Sequence, residues 1–256
     1  MSPNHLPRLV TIGISHYCEK ARWALDYLAI PYREERHVPP FHRISTQAVG
    51  GSSTPVLITD TAVLLTSDEI LNYLDSHYAR ERRLYPSVPS LRHDVEHLED
   101  WFNTKLGLAV RQWSYFYALS DQALMRQMWC PGTPLWEQLS FPIVFSSVRN
   151  SLEQLYDLHQ DRVVEAYEVI LDIIDSISDR LADGRPYLVG DSFSAADLTF
   201  ASMAALLLFP PDYGFPLPSL EQIPPLMVAR IEELRQTPAG QFVLWLYQTH
   251  RHPPLQ

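Results

Sequence analysis

The chain has 256 residues, 46% of them apolar and 20% charged, with a formal net charge of −10. That composition excludes a disordered chain, and the length suits two domains. The acidic balance argues against nucleic acid and anionic lipid as partners. The first elements alternate. Residues 8–14 (RLVTIGI) are short, β-branched and apolar, and predict a buried strand. Ala21, Ala24, Leu25 and Leu28 then recur at helical spacing until Pro31 closes the helix. Residues 32–37 (YREERH) predict a second, edge-like strand, and 41–48 a weak helix before the turn at Gly50-Gly51-Ser52-Ser53. PVLIT and AVLL, separated by Asp60-Thr61, predict a hairpin. Ile70, Leu71 and Leu74 give residues 68–77 one apolar helical face. The order β-α-β-(α)-β-β-α implies one parallel strand pair followed by antiparallel strands.

After the charged, proline-containing stretch 78–90, strand signals stop. Helices are predicted over 91–119, 161–181, 198–208, 226–234 and 239–247, while 130–150, with three prolines and several aromatics, stays unassigned. The charge divides at the same place. Residues 1–85 hold 9 basic and 9 acidic side chains, and the rest hold 11 and 21. The longest apolar stretch, 201–210, is too short to span a bilayer, so no membrane partner is expected. The first residues lack the pattern of a signal peptide. Two cysteines, Cys18 and Cys130, cannot form a disulfide framework, which points to a reducing cytoplasm.

Three motifs in order carry a resemblance. Ser15-His16-Tyr17-Cys18-Glu19-Lys20-Ala21-Arg22 opens the first helix directly after the first strand. A helix start offers free N–H groups and partial positive charge, where a thiolate is stabilised. Ser53-Thr54-Pro55-Val56-Leu57 precedes the third strand, and Thr66-Ser67 leads into Ile70-Leu71-Asn72-Tyr73-Leu74. Together they resemble the cytosolic glutathione transferase superfamily, of the bacterial type with serine at the thiol-activating position. The resemblance implies a thioredoxin-like α/β domain over 1–80 and an all-helical domain over 91–256. Against the C-P-Y-C of glutaredoxins, Ser15 falls on the nucleophilic cysteine and Cys18 on the resolving one.

The resemblance further implies glutathione as co-substrate, a small hydrophobic electrophile as partner, no metal, and a two-fold homodimer. Ser15 would donate a hydrogen bond to the glutathione thiolate. Tyr17, His42, Thr54, Pro55, Val56, Ser67 and Asp68 are the remaining glutathione-binding candidates. Pro55 is expected cis, so that its neighbour pairs main-chain groups with the cysteinyl residue. His42 falls near a basic residue that meets the glycyl carboxylate. Thr66 stands where the family pattern has an acidic or amide residue, leaving Asp68 as substitute. Trp113, Phe116 and Tyr117 would border the electrophile pocket. Two alternatives stay open: a glutathione-dependent thiol–disulfide oxidoreductase using Cys18, and a non-catalytic ligand-binding protein of the same fold.

Two further patterns read as structural. Ser194 and Asp197 form a capping box with Phe193 and Leu198 as its staple. His93 and His97 share a helix face but lack a third ligand, and read as a solvated or interface face.

Overall fold

The computed structural model describes residues 6–78 and 81–252. Part of the expected N-terminal segment (1–5) and of the expected linker (79–80) lies outside the described residues. The first part of the chain builds β1 (Arg8–Thr11), α1 (His16–Tyr27), β2 (Arg33–Arg36), α2 (His42–Gln47), β3 (Val56–Ile58), β4 (Val63–Leu64) and α3 (Ser67–Tyr78). The strands form one sheet in the order β2-β1-β3-β4. Strand β1 runs parallel to β2, with Arg8 opposite Arg33, and antiparallel to β3, with Arg8 opposite Ile58. The expected hairpin is present as the antiparallel β3–β4 pair. The first strand ends at Thr11, because the chain turns at residues 13–14 to set Ser15 at the start of α1.

The remainder is helical: α4 (Pro89–Trp101), α5 (Gly107–Ala118), α6 (Gln122–Trp129), α7 (Leu135–Leu155), α8 (Gln160–Leu181), α9 (Ala195–Leu208), α10 (Pro225–Arg235) and α11 (Pro238–His250). The helix expected over 91–119 is α4 and α5, joined by a π-helical turn at Phe102–Leu106. That turn widens the backbone spiral by one residue. Gly107 follows it at a close approach, since a Cβ there would strike the Tyr17 hydroxyl and the Met203 sulfur.

Every residue of α9 is buried. Its sequence is apolar all round, as a central helix requires, and α1, α4, α5, α10 and α11 pack around it. Its start is fixed by the expected capping box: Asp197 accepts the Ser194 amide at 2.9 Å and the Leu188 amide at 2.8 Å. Burial pushes the Asp197 carboxyl up to about 6. The unassigned segment 130–150 becomes most of α7, a 21-residue helix that continues through Pro142.

Candidate functional site

Ser15 is the N-cap of α1, and its Oγ accepts the Cys18 amide at 3.4 Å. A cavity of about 210 Å³ opens beside it, between the first part of the chain and the helical part. From the first part, Ser15, His16, His42, Arg43, Ser53 and Thr54 line it. From the helical part, Arg111, Ser114 and Tyr115 of α5 face Leu152 and Leu155 of α7, with Tyr156 just beyond. Among the described residues, no Asp or Glu lines it. The peptide bond between Thr54 and Pro55 is cis.

The cavity thus brings together Ser15, His42 and Thr54. It does not include the other candidates. Pro55 and Val56 are buried beneath it. The Tyr17 hydroxyl donates to the Asn103 carbonyl at 2.6 Å, in the π-helical turn. Cys18 is fully buried, and burial pushes its thiol up, against the pull of Arg22 and the Thr54 and Ser15 hydroxyls. At the start of α3, Thr66 accepts the Glu69 amide while Glu69 accepts the Leu65 and Thr66 amides. Thr66 therefore serves as a cap, readable in the T-x-x-E spacing. Asp68 accepts from buried Lys20 at 2.6 Å and from Asn103, so an internal network claims its carboxylate.

On the helical side the apolar stripe and the cavity wall are different faces of α5. Trp113 is buried against Tyr167 of α8, and Phe116 and Tyr117 meet edge-to-face beside it. The wall is instead Arg111, Ser114 and Tyr115, which sequence reasoning missed. The signal was there: one arginine, with serine three residues on, inside LAVRQWSYFY.

Several polar atoms on this cavity have no partner. His16 Nε2, His42 Nδ1 and Ser114 Oγ are buried and make no hydrogen bond. Buried polar groups are normally satisfied. Burial, reinforced by the Arg111 charge, holds His16 well below the usual imidazole range. Burial pushes His42 down to about 4, with Arg43 and His37 adding to it.

The opposite face of α1 is fully paired. Glu19 meets Arg22 at 3.0 Å and Arg251 at 2.7 Å, and Arg251 also reaches Asp26 at 2.7 Å. Arg22 reaches Glu34 at 2.9 Å. Nearby, His37 bridges Glu35 at 2.9 Å and buried Glu137 at 2.6 Å. Among the described residues, no group of three or more His, Cys, Asp or Glu stands placed to hold a metal. No described helix is long and apolar enough to cross a membrane.

The residues fit a small anionic peptide thiol. The cavity carries cations without carboxylates, a hydroxyl at a helix start, and a histidine nitrogen with nothing to bond. Comparison with known proteins agrees. A glutathione S-transferase N-terminal domain model matches residues 9–82, and a glutathione S-transferase C-terminal domain model matches residues 152–228. No curated protein sequence matches the chain. Among solved structures, glutathione transferase GSTFuA3 from Phanerochaete chrysosporium is 18% identical over 98% of this chain and 99% of its own, with a TM-score of 0.66. Beta-etherase LigF from Sphingobium sp. strain SYK-6 is 16% identical over 94% and 99%, with a TM-score of 0.62. A theta class glutathione S-transferase from Xanthomonas axonopodis pv. citri, with glutathione bound, is 19% identical over 93% and 97%, at a TM-score of 0.55. At these identities the structures speak to the fold, and the two domain models speak to descent: the chain belongs to the glutathione transferase superfamily.

Proposed function

We propose that the protein conjugates glutathione to small apolar electrophiles, with Ser15 as the group that stabilises the thiolate. The observation that carries this is the pairing of an N-cap hydroxyl on the cavity with a sealed thiol behind it. The Ser15 oxygen accepts one long amide contact from Cys18, and its hydroxyl, which also lies against the Cys18 thiol, can turn to donate to a sulfur in the cavity. Cys18 lies at zero exposure with its thiol pushed up, which disfavours the thiolate that disulfide exchange needs. On this reading residues 1–80 bind the tripeptide and residues 91–256 carry the electrophile pocket. His42 with Arg43 meets a carboxylate, and Ser53 and Thr54 hold the cysteinyl part. The enzyme would act as a homodimer in the cytoplasm, in detoxification.

Glutathione, when bound, supplies the sulfur nucleophile. A free thiol of this kind has a pKa of ~8.5. A hydrogen bond to a charged group is worth ~1.5–3 kcal/mol, which lowers that value by about one to two units. The positive end of α1 acts in the same direction. At neutral pH the change converts a few per cent of thiolate into roughly half.

Ultraviolet titration of the bound thiol tests this. The wild type should show the lowered pKa, and Ser15→Ala should lose it together with ~10- to 100-fold in kcat/KM. Cys18→Ala should keep both. If Cys18→Ala abolishes activity while Ser15→Ala retains it, Ser15 is not the activating group and the oxidoreductase alternative stands.

A further inference from the structure

Half-buried Arg111 lines the cavity without a counter-ion, unlike the buried lysine and arginines among the described residues. Lys20, Arg22 and Arg251 are buried, and each holds a carboxylate at 3.0 Å or less. Arg111 is different. Its Nη1 donates to the Tyr156 hydroxyl at 2.9 Å, and its guanidinium lies over the rings of Tyr17 and Tyr156, at 4.7 and 5.4 Å from their centroids. No carboxylate pairs with it among the described residues. A guanidinium offers five donors in a planar fork suited to a carboxylate, and the one side-chain acceptor that meets this fork is a neutral hydroxyl.

Two groups, each with a polar atom that lacks a hydrogen-bond partner, stand at the same place. Ser114, three residues along α5, is 5% exposed, and its hydroxyl makes no hydrogen bond. His16, 2% exposed, leaves Nε2 unbonded. All three line the cavity beside the apolar side chains of Met128, Leu152 and Leu155. Cation, hydroxyl and apolar wall together describe an amphipathic anion.

We propose that the electrophile side of the cavity takes an apolar, aromatic second substrate bearing a carboxylate, held by Arg111 and Ser114 with His16 alongside. This rests on the glutathione reading of the Ser15 side. The neutral state of His16, enforced by burial and by Arg111, adds no second charge to the cluster, and with the ring's N–H on the Gly107 carbonyl its Nε2 is left as an acceptor. Arg111 is a specificity residue here: it holds the remote anionic end while Ser15 attends to the sulfur.

The test pairs 4-chloro-3-nitrobenzoate with its neutral isostere 4-chloro-3-nitrobenzamide. Conjugation of either forms one C–S bond as the C–Cl bond breaks, with chloride leaving with the bonding pair and the thiol proton passing to solvent. The readout is the benzoate-to-benzamide ratio of kcat/KM, compared between proteins so that intrinsic reactivity cancels. Arg111→Gln should lower that ratio at least ~10-fold, Arg111→Lys should lower it less, and the surface control Arg149→Gln should not move it. An unchanged ratio in Arg111→Gln overturns the proposal and leaves the glutathione reading intact. So does an equal loss on both compounds with weakened glutathione binding in calorimetry, since Arg111 would then serve the tripeptide. A second arm needs neither glutathione nor turnover. Wild type should bind unreactive 3-nitrobenzoate at least ~10-fold tighter than 3-nitrobenzamide, with the preference shrinking as salt rises. Equal affinities overturn the proposal, whether or not glutathione binds.

Discussion

The two sides of α1 treat charge in opposite ways. On the side facing the chain's end, Glu19, Arg22, Asp26 and Arg251 satisfy one another across distances of 3.0 Å or less. On the cavity side, His16, Ser114 and Arg111 leave a nitrogen, a hydroxyl and a fork without a matching partner. Glu19, Arg22 and Arg251 on one side and His16 and Ser114 on the other are all buried, so exposure alone does not separate the two sides. Partnership does. A satisfied buried network holds elements together, whereas an unsatisfied one stores a desolvation cost that a ligand can relieve. The same contrast explains how a chain of net charge −10 presents a cavity that, among the described residues, no carboxylate lines.

The strongest way to break the comparison is to remove a partner from the satisfied side. Arg251→Met should strip buried Glu19 of one of its two cations and Asp26 of its partner, and cost ~3 kcal/mol in urea denaturation. A loss below ~1 kcal/mol would mean that the network is ornamental. Acid is a milder probe. Glu19 and Glu34 are held below the usual carboxylate range; burial alone would raise them, but Arg251 and Arg22 outweigh it for Glu19, and Arg22 and Arg36 for Glu34. Glu35 is held at about 2, where hydrogen bonds from Arg8, His37 and Ser45 outweigh its burial. A carboxylate whose folded pKa is depressed stabilises the fold above its unfolded value and loses that contribution as pH falls through the folded one. The melting temperature should therefore hold near neutrality and decline from about pH 4.5 toward about pH 2, the window that the Glu35 values bracket. Glu35→Gln should flatten the last part of that decline. The smallest effect belongs to the unsatisfied side and has the opposite sign. Ser114→Ala removes a buried hydroxyl that bonds nothing, so stability should rise by about 1 kcal/mol while nitrobenzoate binding weakens. A loss of stability there would show that Ser114 is structural.

Much of the sheet-bearing part was readable, because its strands and helices announce themselves by period and by turn residues. Ser15 was readable as a helix start by position, and Thr54 as a cavity residue only through the family resemblance that carried Pro55. The helical part was harder. Pro142 interrupts the pattern of α7 without interrupting the helix, and the Asp121 cap of α6, which accepts the Ala123 and Leu124 amides, was overlooked. Arg111 was missed for a more general reason. The period of α5 reports the face that packs, through Trp113, and a binding wall is the face left over. Arg251 and Glu19 lie 232 residues apart, a pairing that no local pattern encodes.

The contact between Tyr17 and the π-helical turn fixes a length. Ser15 rides on α1 and Arg111 on α5. These helices touch where Tyr17 donates to the Asn103 carbonyl and where Gly107 has no side chain to hold it off. The interval between the Ser15 hydroxyl and the Arg111 guanidinium is thereby clamped by backbone on one side and a single rigid ring on the other. On the proposed reading the cavity would work as a calliper: it would gauge how far a reactive carbon stands from its charged end, and a compound a few ångströms longer or shorter would seat one end and miss the other.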